Sequence, residues 1–332
     1  MASREKILFV VKRCYRYDGE RQVSRGLLIS AQMVASMLVA MGYDALVAEA
    51  VDGNSIDALV ARHRPTRVVI EAIWVTPAKL AELSGLWPRV RWTVRVHSEF
   101  PFLANEGMAI EWLEGYSSIA AEVAFNARRA VEDFSLIGLS CWLPNTYLAE
   151  DAWAGRPPVV ESKTLHVGCF GAIRPLKNQL QQAVAAVRFA RQQGRGLVFH
   201  MNGSRLEQFG ENNLKNIKAF LRGAGAALDL HPWLDHEGFR ALVARMDICL
   251  QVSLTESFCI VAADAVSQGV PLVGSPAIEW LPLRAQADPL STDSIVSAMH
   301  KAGRRQVAEN RRSLARQMAE SARAWRAWVG FI

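Results

Sequence analysis

The sequence predicts an α/β fold of two domains, and three observations carry that expectation. Strands that are apolar along nearly their whole length, such as Lys6 to Val11 and Asp247 to Ser253, alternate with helical stretches, as parallel strands covered on both faces do. At 332 residues, 51% of them hydrophobic, the chain is long enough for two cores of ordinary size. Between Asp247 and Gly274 the order is apolar strand, tight turn, helix stopped by Gly269, and strand, which is one parallel βαβ unit.

Taken in order, Lys6 to Val11 is the first strand, and a loop dense in bases and tyrosines follows, with Lys12, Arg13, Tyr15, Arg16, Tyr17, Arg21 and Arg25. Residues Leu27 to Met41 form an apolar-rich helix closed by Gly42. Tyr43 to Ala50 is a strand, Ile56 to His63 a helix and Arg67 to Ala72 a strand. Trp92 to His97 is the next strand, and its last residue stands at a carboxyl end, where ligands gather in open α/β sheets. Ala120 to Ala130 reads as a helix and Phe134 to Ser140 as a short strand, and the Pro-Asn pair Pro144-Asn145 follows within Leu143 to Tyr147. Residues 151–163, rich in turn formers and without periodicity, read as an interdomain linker.

A second series opens with the strand Thr164 to Phe170. Gly171, Arg174 and Lys177 then lead into a helix reaching about Gln193. Two cations three residues apart before a helix start suit a diphosphate, one as a planar fork and one as a point charge. Gly196 to Gly203 is a strand and turn that includes Asn202. Leu228 to Leu234 is another, whose Trp233 either packs in the core or faces a base. Gly238 to Arg245 is a helix. In the 247–274 unit, Thr255 and Ser257 are expected to cap the helix beside the carboxylate of Glu256. Free amides at a helix start bind anions, whereas a carboxylate there suits hydroxyl groups on the same ligand. Phosphate together with sugar hydroxyls describes a sugar nucleotide.

Glu256, seven intervening residues, Asp264 and then Gly269 to Val273 resemble the signature of retaining glycosyltransferases of the GT-B fold, and more narrowly of glycosyltransferase family 4. That family usually has Glu where Asp264 stands, and Arg where Ala172 stands, so that Arg174 takes the place of the latter. The resemblance implies two Rossmann-like domains with parallel sheets facing a central cleft. Residues 1–150 would form the acceptor domain, 164–300 the donor domain, and 301–332 a C-terminal helix returning to the first domain through Trp325 and Trp328. It implies catalytic roles for His97, Arg174, Lys177 and Glu256. Donor contacts would come from Gly171, Asn202, Gly203, Trp233, Ser257, Phe258, Cys259 and Asp264. The donor would be a UDP-sugar or another nucleoside-diphosphate sugar, with no metal and no other cofactor, and transfer would keep the anomeric configuration. Epimerases of sugar nucleotides and non-catalytic binding proteins share this architecture and stay open.

The acceptor is the least constrained element. Arg95 to Trp112 is similar to bacteriophage-encoded glycosyltransferases, some of which decorate hydroxymethylated bases. Lys12, Arg13, Tyr15, Arg16 and Tyr17 would supply phosphate contacts and stacking to double-stranded DNA, the favoured acceptor being a hydroxymethylated pyrimidine. A lipid or glycan acceptor at an anionic membrane surface is the alternative. The net charge of +6 favours anionic partners without choosing among them. The five cysteines show neither metal spacing nor a disulfide framework, and the start has no signal-peptide layout. A bacterial cytoplasmic location is expected.

Overall fold

The computed structural model describes residues 5–15, 21–22, 25–119, 121–148 and 162–330, with the backbone alone at 14–15, 21–22 and 25. The chain divides into two compact units, Met1–Leu148 with Gln317–Ile332, and Ala149–Arg316.

In the first unit β1 (Lys6–Lys12) precedes the short antiparallel pair β2 (Cys14–Tyr15) and β3 (Arg21–Gln22). Then come α1 (Arg25–Ala40), β4 (Asp44–Ala50), α2 (Ser55–His63), β5 (Arg67–Glu71), α3 (Pro77–Leu86) and β6 (Arg91–Val96). They are followed by α4 (Phe100–Leu103), α5 (Ala109–Ser118), β7 (Glu122–Phe125), α6 (Arg128–Phe134) and β8 (Cys141–Trp142). The main sheet is parallel, in the order β4-β1-β5-β6-β7-β8. Residues Ile7 to Val11 are all fully buried because both faces are covered. Leu8 and Val10 join a cluster with Ile56, Leu80 and Tyr116, and Ile7, Phe9 and Val11 join one with Leu38, Trp325 and Trp328.

The second unit runs β9 (Thr164–Gly168), α7 (Gln179–Gln192), β10 (Gly196–Asn202), α8 (Gly210–Ala224), β11 (Ala227–His231) and α9 (His236–Ala244). It continues with β12 (Ile248–Gln251), α10 (Ile260–Ser267), β13 (Leu272–Gly274), α11 (Thr292–Lys301) and α12 (Arg304–Gly330). Its parallel sheet has the order β11-β10-β9-β12-β13. Helix α12 ends in the first unit. There Trp325 is fully buried and its Nε1 donates to Pro144 O at 2.8 Å, while Ser321 Oγ donates to Asn145 O at 2.8 Å.

The structure differs from the sequence expectation at 120–140. The expected helix is strand β7 followed by α6, and the expected strand is a 3-10 turn, Ser135–Ile137, ended by Gly138 at φ +82. Alanine-rich local propensity yields to tertiary pairing here, because Glu122 to Phe125 bond alongside Thr93 to Val96. Helices α3, α4, α5 and α8 have no counterpart among the expectations. Arg16, Tyr17 and residues 151–161 of the expected linker lie outside the described residues. No helix of the described residues is long and apolar enough to cross a membrane.

Each sheet reverses its strand order beside its first strand. β1 has β4 on one side and β5 on the other, and β9 has β10 and β12. Loops leaving such neighbours diverge and open a crevice at the carboxyl edge, the usual ligand position in these sheets.

Candidate active site

In the second unit the chain leaves β9 through Gly171, whose φ of +115 is one that L side chains rarely adopt. The Gly171 N–H donates to Asn202 Oδ1 at 2.9 Å, which joins the loop after β9 to the end of β10. Gly203 N–H donates to His231 O at 2.8 Å, tying in β11. A 3-10 turn, Pro175–Lys177, then ends at Asn178, whose left-handed φ of 55 opens α7. Asn178 Nδ2 donates to Val252 O at 3.1 Å and to Pro289 O at 2.8 Å. Gln182 Nε2 donates to Lys177 O at 2.7 Å, and its Oε1 accepts from Val252 N–H at 2.8 Å. The loop after β9 is thereby fastened to the end of β12.

This fastening brings Lys177 to Glu256. The Lys177 ammonium donates to Glu256 Oε1, and Ser253 Oγ donates to the same oxygen at 2.8 Å. The two charged side chains are only 12% and 8% exposed, so their attraction is little screened by water. Arg174 pairs elsewhere. Its Nη1 donates to Glu207 Oε2 at 3.0 Å, and Glu207 also takes Arg205. The Arg205 guanidinium lies 5.4 Å from the ring centroid of half-buried Trp233.

Neither of the expected residues occupies the N-cap position of the helix. Helix α10 starts at Ile260, and its N-cap is Cys259, at φ +62 and without a side-chain cap bond. The stretch from Leu254 to Phe258 intervenes, so that Cys259 rather than Thr255 or Ser257 stands at the N-cap. Thr255 is buried instead. A non-glycine residue at positive φ is held only by surroundings that fix it. Here Cys259 Sγ donates to Gln251 Oε1 at 3.4 Å, and Phe258 O accepts from Trp280 Nε1 at 2.7 Å. Burial, and then the Glu256 carboxylate, push the Cys259 thiol up, so it stays protonated.

Asp264 on α10 is 1% exposed, and its Oδ1 meets His236 Nε2 at 2.7 Å. That bond outweighs partial burial and raises the imidazole above its ordinary 6.5. A histidine raised in the folded state stabilises it fully below about pH 6.5 and loses that contribution as pH rises through the raised value. An NMR titration is therefore expected to place the His236 midpoint above 6.5, and Asp264→Asn to bring it down. A wild-type midpoint at or below 6.5 would contradict the pairing.

In the first unit His97 follows β6 and its Nε2 bonds Glu71, at the end of β5. The other Glu71 oxygen accepts from Arg95 at 2.8 Å, and Arg95 Nε donates to Leu143 O at 2.9 Å. Arg95 also bonds Asn145 of the Pro-Asn pair. Burial pushes the Glu71 carboxyl up, but Arg95 and His97 outweigh it and hold it below the usual range. Burial lowers the His97 pKa despite Glu71, which favours the neutral ring. Lys12 is exposed at the end of β1, with Nζ 5.9 Å from the Trp74 ring beyond β5, and Arg13 Nε donates to Glu49 at 3.4 Å.

Ser253, Glu207, Glu71 and Arg95 are absent from the sequence-based set. An acid and a base inside apolar strands are a readable signal, because charges seldom bury without a partner. Ser253, three residues before Glu256, is legible in the same way, whereas Glu207 carries no such mark.

A family model described as "Family 4 Glycosyltransferase in conflict systems" matches residues 127–328, more than half of the chain. No curated protein matches the sequence. Among solved structures, sucrose-phosphate synthase (tll1590) from Thermosynechococcus elongatus is similar at a TM-score of 0.70 and 11% identity, over 98% of both chains. An α,α-trehalose-phosphate synthase (UDP-forming) from Burkholderia xenovorans in complex with glucose-6-phosphate gives 0.68 and 12%, over 97% of this chain and 98% of that one. Anabaena Alr3699/HepE in complex with UDP and glucose gives 0.67 and 14%, over 99% and 100%. At these identities the likeness shows the fold, which is GT-B: two α/β domains with parallel sheets. The chain belongs to the family 4 glycosyltransferases of conflict systems.

Proposed function

We propose that the protein moves a hexosyl group from a nucleoside-diphosphate sugar, a UDP-sugar foremost, to an acceptor hydroxyl with retention at the anomeric carbon. The carrying observation is Lys177 held against Glu256 where the second sheet reverses its strand order, between β9 and β12. A diphosphate entering there takes the Lys177 ammonium, the Arg174 guanidinium and amides near Phe258. Glu256, relieved of part of its pairing, accepts sugar hydroxyls. Catalysis then rests on cations placed for the charge that develops on the leaving diphosphate. Gly171, Asn202 and Gly203 hold the donor-side backbone, Trp233 faces the base, and Asp264 with His236 serves the ribose. His97 attends the sugar, and no metal is required. The complex of Alr3699/HepE, of the same fold, with UDP and glucose supports the donor class. Retention is carried over from the family 4 signature.

The proposed acceptor is a hydroxymethylated pyrimidine in duplex DNA. Support comes from the basic, tyrosine-bearing stretch that begins with Lys12 at the end of β1, where Lys12 is exposed beside Trp74 at the reversal point of the first sheet. Incubation of hydroxymethylated duplex DNA with a panel of nucleoside-diphosphate sugars, digestion and mass spectrometry test it. A hexose on the modified nucleoside, α-configured by NMR if the donor is, is the expected result. No adduct together with no DNA affinity at low salt would redirect the acceptor to a lipid or glycan. A new sugar epimer from donor alone would replace transfer by epimerisation.

A further inference from the structure

Three further side chains converge on one face of β10 and β11. The register pairs His200 with Asp229 and Asn202 with His231. Residues two apart on a strand share a face, so His200, Asp229 and His231 project together. His200 Nδ1 is 2.9 Å from His231 Nε2 and 3.4 Å from Asp229 Oδ2, and His231 Nε2 is 3.5 Å from that same oxygen. Around a tetrahedral ion with bonds of about 2.0–2.2 Å, donor atoms stand about 3.3–3.6 Å apart. Two edges of the triangle already match one face of that tetrahedron. The third opens by about 0.5 Å when an ion enters.

A fourth residue fixes the arrangement from behind. His166 on β9 has its Nδ1 2.9 Å from His200 Nε2. When His200 donates through Nε2 to His166, its Nδ1 keeps the lone pair that an ion needs. An outer hydrogen bond of this kind is what orients imidazole ligands. The His200 side chain is 6% exposed, that of His231 17% and that of Asp229 50%, so a rigid base meets a side that solvent reaches.

We propose that His200, Asp229 and His231 form a binding site for a divalent transition-metal ion of the zinc class, with a fourth position open to water or another ligand. Two imidazole nitrogens and one carboxylate oxygen suit zinc or a neighbouring ion, and they are not the all-oxygen cage of calcium or magnesium. An ion there pins β11 to β10 immediately before the loops in which Gly203 N–H bonds His231 O and Asn202 bonds Gly171 N–H. The site is separate from the Lys177–Glu256 pair and stands independently of the proposed transfer reaction.

The test is zinc titration of the chelator-stripped protein against a chromophoric indicator, beside Asp229→Asn, which alters the most exposed ligand and leaves both histidines in place. The wild type is expected to bind one zinc per chain below about 1 µM and to melt higher with zinc. Asp229→Asn is expected to bind at least about tenfold more weakly and to lose the thermal shift. X-ray absorption should show a nitrogen and oxygen shell with scattering from two imidazoles. Equal zinc affinity in the two proteins, or no saturable binding by the wild type at micromolar zinc, would overturn the site.

Discussion

Arg95→Leu is expected to destabilise the first unit by about 3–5 kcal/mol, the scale for removing one partner of a buried ion pair. Arg95 is fully buried and bonds Glu71, Leu143 O and Asn145, with its guanidinium 5.2 Å from the Trp325 ring centroid. Without it the Glu71 carboxylate stays out of water with His97 as its remaining ring partner, and two further acceptors are orphaned. Hydrogen exchange of β5 and β6 amides is the suitable readout, because it resolves one unit of a two-unit chain. Glu71→Leu combined with Arg95→Leu should recover part of the loss, since replacing both charges removes the uncompensated one. A single variant that costs under 1 kcal/mol would show that the network does not hold this unit together.

Lys177→Ala is expected to weaken UDP or GDP binding by about 1.5–3 kcal/mol, the range for hydrogen bonds to charged groups, or about ten- to a hundredfold in Kd. It also takes the ammonium away from the Glu256 carboxylate, which is 8% exposed and accepts from Ser253 Oγ at 2.8 Å. Adding Glu256→Gln to Lys177→Ala should therefore restore thermal stability without restoring affinity. Glu256→Gln alone is expected to abolish transfer while the fold persists, because the amide still accepts from Ser253. Unchanged nucleotide affinity in Lys177→Ala by calorimetry would remove this loop from the donor pocket. A fully active Glu256→Gln protein would remove Glu256 from sugar positioning.

Much of this was legible before any coordinates. Strands such as Lys6–Lys12 and Ile248–Gln251 announce themselves because two covered faces demand apolar runs. The Glu256 turn is readable because strand, turn, helix and glycine follow one another without interruption. The 120–140 stretch is misread because pairing with β6 overrides the helix preference of its alanines. Thr255 and Ser257 are misread as N-caps because sequence spacing does not show that Cys259, at positive φ, is the residue from which the helix starts. Partners far apart in the chain, such as Glu207 for Arg174 and His236 for Asp264, leave no local trace.

Helix α12 has a consequence for the order in which the chain is made. Most of the first unit's core is built from residues before 149, yet Phe9 packs against Trp325, with ring centroids 5.6 Å apart. During synthesis that core leaves the ribosome early and waits, with an apolar side uncovered, until residues 317–330 follow. The second unit lies between and can close first. The half that emerges first is the half that finishes last, and in the interval the open side of its sheet is the surface on which chaperones or a second nascent chain would act.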